Sequence, residues 1–457
     1  MIRSPHEAGG NVCGIAGIWH LDGRPLASGA IERFTRALAH RGPDGEGIEL
    51  LGDDRTLGLG HRRLAIFDRS AAGRQPMRSA DGRYWISFNG EIYNFVELRR
   101  ELESVGYRFT SRTDTEVILA AYDRFGEDCQ RRFNGMWAFA IWDVARRRLF
   151  LSRDRFGVKP LYYVVERDRF AFASELKAFL QLDEFEATED SASLARVLAD
   201  NFALEGTEDS LLQGVRRLPG GCAMTVSASG PAVRRWWNTL DHRVEVAADF
   251  GRQAAEFREL FFDACRLRVR SDVPAATCLS GGLDSSSVVG ALSAVDRRDG
   301  LRANARSAPD WRATFVADFA GTPLDETAYA DLVANRAGLA VRHVPIDVDE
   351  FERIIARTVV DFEEIHFTSP TPIWSLYRAL RAHDAIVAID GDGADELFGG
   401  YAYHVEAAIR CGGGLLRTPG RTRDLLVTLA GMRPRGGLVR YESPLRLGLR
   451  LDPALSG

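Results

Sequence analysis

Two groups of residues in this chain have the types and spacing to do chemistry. Cys13 stands in the run Asn11-Val12-Cys13-Gly14-Ile15-Ala16-Gly17-Ile18, where a thiol opens an apolar strand close to the N-terminus. As a thiolate it can attack a carbonyl carbon, provided a base and an oxyanion hole are at hand. A cysteine that is the first residue of a mature chain can use its own α-amine as that base, because a pKa of about 7.7–8 lets the amine take and return a proton. The second group is Ser280-Gly281-Gly282-Leu283-Asp284-Ser285-Ser286. Its glycines permit close backbone approach, its hydroxyls can donate to phosphate oxygens, and the helix expected after it adds partial positive charge. That loop suits pyrophosphate and differs from the GxxxxGK[ST] loop of kinases and GTPases. A thiol site and a pyrophosphate site imply two active sites on one polypeptide. Taken alone, Cys13 reads first as a buried strand cysteine, and only its surroundings overturn that.

The elements that must position these residues fall into two rhythms. Up to about residue 220, short alternating strands are interrupted by two helical segments, near 29–39 and 97–105. Strands are expected at 138–142, 148–152, 161–165 and 170–173, so the sheet should be mainly antiparallel. From about 255 the order becomes strand, helix, strand: strands at 275–279, 314–317, 341–346 and 385–390, helices at 285–294 and 326–337. Alternating βα units predict a parallel, doubly wound sheet. A linker is expected over 228–250, and 411–440, rich in Gly and Arg, looks ill suited to a compact core. The chain has 457 residues, which predicts at least two domains. With a net charge of −5 there is no electrostatic case for nucleic acid or an anionic membrane as partner. Six cysteines without CxxC spacing make neither a disulfide framework nor a zinc site, so a reduced, cytoplasmic protein is expected. Lysine is nearly absent, with Lys159 and Lys177 the two in the chain.

The order of motifs is specific. His40-Arg41-Gly42-Pro43-Asp44, Gly60-His61-Arg62-Arg63-Leu64-Ala65-Ile66-Phe67-Asp68, Phe88-Asn89-Gly90-Glu91-Ile92-Tyr93-Asn94 and Arg112-Thr113-Asp114-Thr115-Glu116-Val117 follow Cys13 in turn. With the segments 151–163 and 172–177, they resemble the N-terminal-nucleophile glutamine amidotransferase half of asparagine synthetases. The Ser280–Ser286 loop resembles that of ATP pyrophosphatases that form acyl-adenylates. Asp390-Gly391-Asp392-Gly393-Ala394-Asp395-Glu396-Leu397-Phe398-Gly399-Gly400-Tyr401 resembles the asparagine synthetase motif at the mouth of the ATP site. The resemblance implies an α+β then α/β fold: an N-terminal-nucleophile αββα sandwich followed by a doubly wound, parallel-sheet adenine nucleotide hydrolase-like domain. The implied division is an extension over 1–12, a glutaminase domain over 13–227, the linker, and an ATP-binding domain over 251–457.

Roles follow from the resemblance residue by residue. Cys13 is implied as the nucleophile forming a glutamyl thioester, with the Asn89 amide and the Gly90 N–H as oxyanion donors. Arg63 would fork onto the α-carboxylate of glutamine, while Asp114, helped by Glu91, takes the α-ammonium. The segments Arg41–Asp44 and Arg153–Pro160 are expected to tie loops around that site. ATP would be held by Leu279, Ser280, Gly281, Gly282, Asp284, Ser285, Ala317, Asp390 and Gly391, with Asp392 at the aspartate-activation step. Asp284 and Asp395 would ligate Mg²⁺. The implied reaction activates aspartate as an acyl-AMP with loss of pyrophosphate, and ammonia from glutamine, channelled between domains, displaces AMP. Expected partners are thus glutamine, aspartate and ATP, with a homodimer as an open expectation.

Three features depart from the pattern. The family nucleophile normally follows the initiator Met, whereas twelve residues precede Cys13 and would leave its nitrogen a non-basic amide. A start at Val12, through its GUG codon, is the favoured explanation; a cleaved propeptide and an inactive half-site compete with it. Relatives continue well beyond the Asp390–Tyr401 segment and carry there a lysine used in adenylation, yet no lysine follows Lys177. Asp392 stands where many relatives carry Glu. Two alternatives therefore stand beside asparagine synthesis: an amidotransferase of this type acting on another carboxylate, and a truncated protein with only glutaminase or binding activity.

Overall fold

The computed structural model describes residues 12–52, 54–200, 202–300, 306–365, 371–401 and 404. The N-terminal extension up to residue 11 and the Gly/Arg-rich 411–440 stretch lie outside them.

Apolar residues at alternate positions build two six-stranded antiparallel sheets in the first half. One runs, edge to edge, Arg216–Arg217, Tyr162–Glu166, Arg169–Ala173, Gly14–His20, Leu57–Arg63 and Gly45–Leu51. The other runs Gly230–Arg235, Cys222–Ser227, Arg148–Arg153, Gly135–Asp143, Tyr84–Ile92 and Met77–Arg78. Ile15, Trp19, Leu59, Ala138, Leu151 and Phe172 interleave between the sheets as a dry core. Helix Ala30–Arg36 covers the outer face of the first sheet through Ile31 and Phe34. Helices Phe95–Ser104 and Asp114–Phe125 cover the second through Phe95, Leu98, Val117 and Ile118. The layering is the αββα sandwich expected.

Two expectations change. The first half holds more than two helices: Asp114–Phe125 and Ser191–Ala199 are helical as well. The stretch 228–250 is not a linker throughout, because Gly230–Arg235 is the edge strand of the second sheet and Trp236 is buried in its core.

The second half is a four-stranded parallel sheet, ordered Ala340–Pro345, Ala313–Asp318, Ala275–Cys278, Val387–Ile389. Ala275, Val316 and Ile389 pack under helices Phe250–Arg268, Leu283–Asp299 and Thr327–Ala337, while Ala276 and Phe315 pack against helix Thr371–Ala382. Helices on both faces make it doubly wound. The chain steps outward from Ala275–Cys278 and then returns to its other side, which places the topological switch between Ala275–Cys278 and Val387–Ile389. Among the described residues, no helix is long and apolar enough to cross a membrane.

Candidate functional site

The antiparallel register Gly14↔Arg62 sets Cys13, just before its strand, beside Arg63 and Leu64 at the end of the neighbouring one. The Cys13 thiol lies on Leu64, donating to its carbonyl at 3.5 Å and accepting from its N–H at 3.4 Å. Burial pushes the thiol up to about 11, and Glu91 adds to the rise. A thiol in that state is not ionised at neutral pH, so a base must act on it directly. The Cys13 carbonyl accepts from Arg41 Nε at 2.9 Å, and Arg41 pairs with Glu175 at 2.6 Å. Glu175 also meets Lys177 at 2.9 Å, and Lys177 reaches Glu363 of the second half at 3.6 Å.

Asn89, Gly90 and Glu91 lie on strand Tyr84–Ile92. Asn89 is 1% exposed and its Nδ2 has no hydrogen-bond partner among the described residues. Gly90 cannot carry a side chain, since a Cβ there would lie 2.2 Å from the Met136 carbonyl oxygen and 2.7 Å from the Trp137 Cα. His61 holds this strand, its Nε2 donating to the Phe88 carbonyl at 3.0 Å; burial drives its pKa down to about 3 and keeps it neutral.

Asp114 opens its helix, and its Oδ2 accepts from the N–H of Ile92 at 2.9 Å, which brings it to Glu91. Burial raises Asp114 to about 7 against the pull of that N–H. Glu91 is raised by burial and then by Asp114, and its Oε2 is buried without a hydrogen-bond partner. Two buried acids side by side call for a cation between them.

Arg63 points into the same region. Its guanidinium donates to the carbonyls of Ser70 at 2.9 Å, Phe67 at 3.2 Å and Asp68, so the loop 66–70 fixes its plane. Its remaining N–H groups are free of those bonds by count, since guanidinium has five. The segments read as structural are so: Asp44 accepts from Ala65 N–H at 2.8 Å, Arg153 donates to the carbonyls of Gly157, Lys159 and Leu218, and Asp154 takes the N–H groups of Trp137, Phe156, Val158 and Lys159. Lys159 itself is held below the usual lysine range by burial and by Arg41.

In the second half, Leu279, Ala317 and Asp390 end three adjacent parallel strands, where doubly wound sheets bind ligands. Leu279 N–H donates to the Phe315 carbonyl at 2.9 Å. Ser285 Oγ accepts from Ser280 N–H at 3.2 Å, and Gly282 N–H bonds Ser280 Oγ at 3.1 Å, curling the loop over a helix whose N-cap has no capping side chain. Gly281 sits at φ +80, and a Cβ there would meet Tyr329 Cβ at 2.6 Å. Gly391 brings the two signatures together: a Cβ on it would lie 2.6 Å from Ser285 N and 2.8 Å from the Asp284 carbonyl carbon. Asp390 takes the Tyr377 hydroxyl at 3.1 Å. Asp392 is raised by burial and by Asp390 and Glu396. The Asp395 carboxyl lies close against Gly400, and no cluster of three or more metal-binding side chains exists among the described residues.

Sequence reasoning did not single out Leu64 as the rest for the thiol, His61 as the prop of strand Tyr84–Ile92, or Glu363. The bonds that define them join residues far apart in the chain, and no local pattern marks them.

Residues 12–237 match the glutamine amidotransferase domain family and residues 256–438 the asparagine synthase family. Asparagine synthetase [glutamine-hydrolyzing] 1 of Bacillus subtilis is 32% identical over 444 residues, covering 96% of this chain and 66% of that protein. Putative asparagine synthetase [glutamine-hydrolyzing] 2 of Methanocaldococcus jannaschii is 34% identical over 412 residues, covering 86% and 76% respectively. Amidase chry2 of Gibberella zeae is 30% identical over 385 residues, covering 81% of this chain and 55% of its own. The chain thus spans between about half and three quarters of the length of these relatives. With both halves matched in order and the sandwich and parallel sheet in place, the chain belongs to the glutamine-hydrolysing asparagine synthetase family.

Proposed function

We propose that this chain hydrolyses glutamine at Cys13 and uses the ammonia, with ATP, to amidate aspartate to asparagine. One observation carries the first half of this reading. Asn89 and Glu91, two apart on one strand, bury an amide donor and a carboxyl acceptor that find no hydrogen-bond partner among the described residues. Leaving such groups unpaired costs about 1–3 kcal/mol each, a cost that a bound ligand removes. A glutamine laid across them would put its side-chain carbonyl oxygen at Asn89 and Gly90, its α-ammonium at Glu91 and Asp114, and its α-carboxylate at Arg63. Cys13 Sγ then adds to the amide carbon, and its proton passes through the free α-amine of Cys13 to the departing ammonia. Water, activated by the same amine, cleaves the thioester to glutamate.

In the second half, Leu279 to Ser285, Ala317, Asp390 and Gly391 would cradle ATP, and Asp392 would face the aspartate carboxylate being activated. Asp284 and Asp395 would hold Mg²⁺, which supplies positive charge to the phosphates when bound. Cytoplasmic work and small-molecule partners, without nucleic acid or membrane, accord with this chemistry.

The test is one assay with three readouts. Protein whose first residue is Cys13 is incubated with glutamine, aspartate and Mg-ATP, and glutamate, pyrophosphate and asparagine are measured separately. All three are expected. Glutamate alone would restrict the chain to glutaminase activity, pyrophosphate with another carboxylate but not aspartate would move the acceptor, and absence of all three would sink the reading. A chain retaining residues 1–12 should release no glutamate.

A further inference from the structure

We propose that Asp272 and Arg306, both from the second half of the chain, are positioning residues for glutamine, holding from across the domain boundary the loop that fixes Arg63. This inference rests on the glutaminase reading above.

Arg63 is oriented by the carbonyls of Phe67, Asp68 and Ser70, so whatever fixes loop 66–70 fixes Arg63. Asp272 grips that loop twice. Its N–H donates to the Ile66 carbonyl at 3.1 Å, and its Oδ2 accepts from the Asp68 N–H at 2.9 Å. Arg306 pairs with both Asp272 carboxylate oxygens, at 3.1 and 2.9 Å, and the Arg306 guanidinium also donates to the Arg112 carbonyl. Arg112 N–H in turn donates to Asp68 Oδ2 at 2.7 Å, two residues before Asp114. One ion pair therefore stitches together the segment that presents Arg63 and the segment that presents Asp114, the two ends of the glutamine backbone.

The pair is built for this and is not a chance surface contact. Arg306 is 9% exposed, lies 5.3 Å over the Phe95 ring, and is held at φ +85, where a side chain rarely rests. The Arg306 carbonyl accepts from Ser271 N–H at 2.8 Å, which locks Arg306 to the segment carrying Asp272. Arg217–Glu364, at 3.0 Å, links the halves away from loop 66–70.

The test measures glutamine affinity without turnover, by calorimetric titration of L-glutamine into the full chain carrying Cys13→Ala. Adding Asp272→Ala should weaken binding about tenfold, the scale of one lost buried hydrogen-bond partner. Asp272→Asn, which keeps an oxygen for the Asp68 N–H, should recover part of that loss. Arg306→Lys should weaken binding as well, because it keeps charge but loses the fork to Arg112. Glu364→Ala should lower the melting temperature and leave affinity unchanged. An affinity in Asp272→Ala within twofold of the parent, or an equal loss in Glu364→Ala, overturns the positioning role alone. No binding by the Cys13→Ala parent overturns the glutaminase reading and this inference with it.

Discussion

On the proposed glutaminase reading, the single side chain of Asp114 would report on the substrate. Burial raises its carboxyl from 3.8 to about 7. The folded chain therefore holds a proton that the unfolded chain has released, and stability falls as pH rises through that window. On the proposed reading, glutamine would reverse the balance, because its ammonium would pair with the ionised form. Binding should then release a proton near neutral pH, and the dissociation constant should rise as pH drops below about 7. Titrating glutamine into the Cys13→Ala chain across pH checks this; adding Asp114→Asn should bind weakly and lose the pH dependence. Cys13, Arg63, Asn89 and Asp114 could be proposed from the sequence because each sits in a run that resembles a family motif. Asp272 and Glu363 were not readable, because their partners, Asp68 and the N–H groups of Leu176 and Lys177, stand 204, 187 and 186 residues away.

Among the elements, the nucleotide loop and the turn after Val387–Ile389 are held by contact and not by a shared hydrogen bond. Gly391 lies so close to Ser285 and Asp284 that any side chain must push the two apart. Gly391→Ala is expected to raise the KM for ATP more than about tenfold while leaving glutamine hydrolysis intact, measured by pyrophosphate and glutamate release in parallel. At this scale the sequence was largely legible: the four parallel strands appear within a few residues of where apolar runs place them. Helix Asp114–Phe125 was the instructive miss. Thr113, Thr115, Val117 and Ile118 are β-branched and the run reads as a binding motif, yet Thr113 and Glu116 carry the spacing of a capping box. Thr113 Oγ1 accepts from Glu116 N–H at 3.2 Å. The edge strand Gly230–Arg235 was missed because its pairing partner, not its own composition, makes it a strand.

For the molecule as a whole, the two halves meet through backbone groups as well as charges. Glu363 closes its helix at φ +57 and takes the N–H groups of Leu176 and Lys177 across the boundary. Glu363→Ala would strand both, and a loss of about 2–6 kcal/mol on urea unfolding is expected, at about 1–3 kcal/mol for each unpaired buried group. Retained stability would mean water replaces the carboxylate there.

Both lysines of the chain fall within this frame: Lys177 is tied between Glu175 and Glu363, and Lys159 is half-buried near Cys13. Acylating reagents that seek primary amines consequently meet few rivals for the chain's first nitrogen. In a protein this poor in lysine, the peptide that carries the remaining label tells whether Cys13 or Met1 begins the chain.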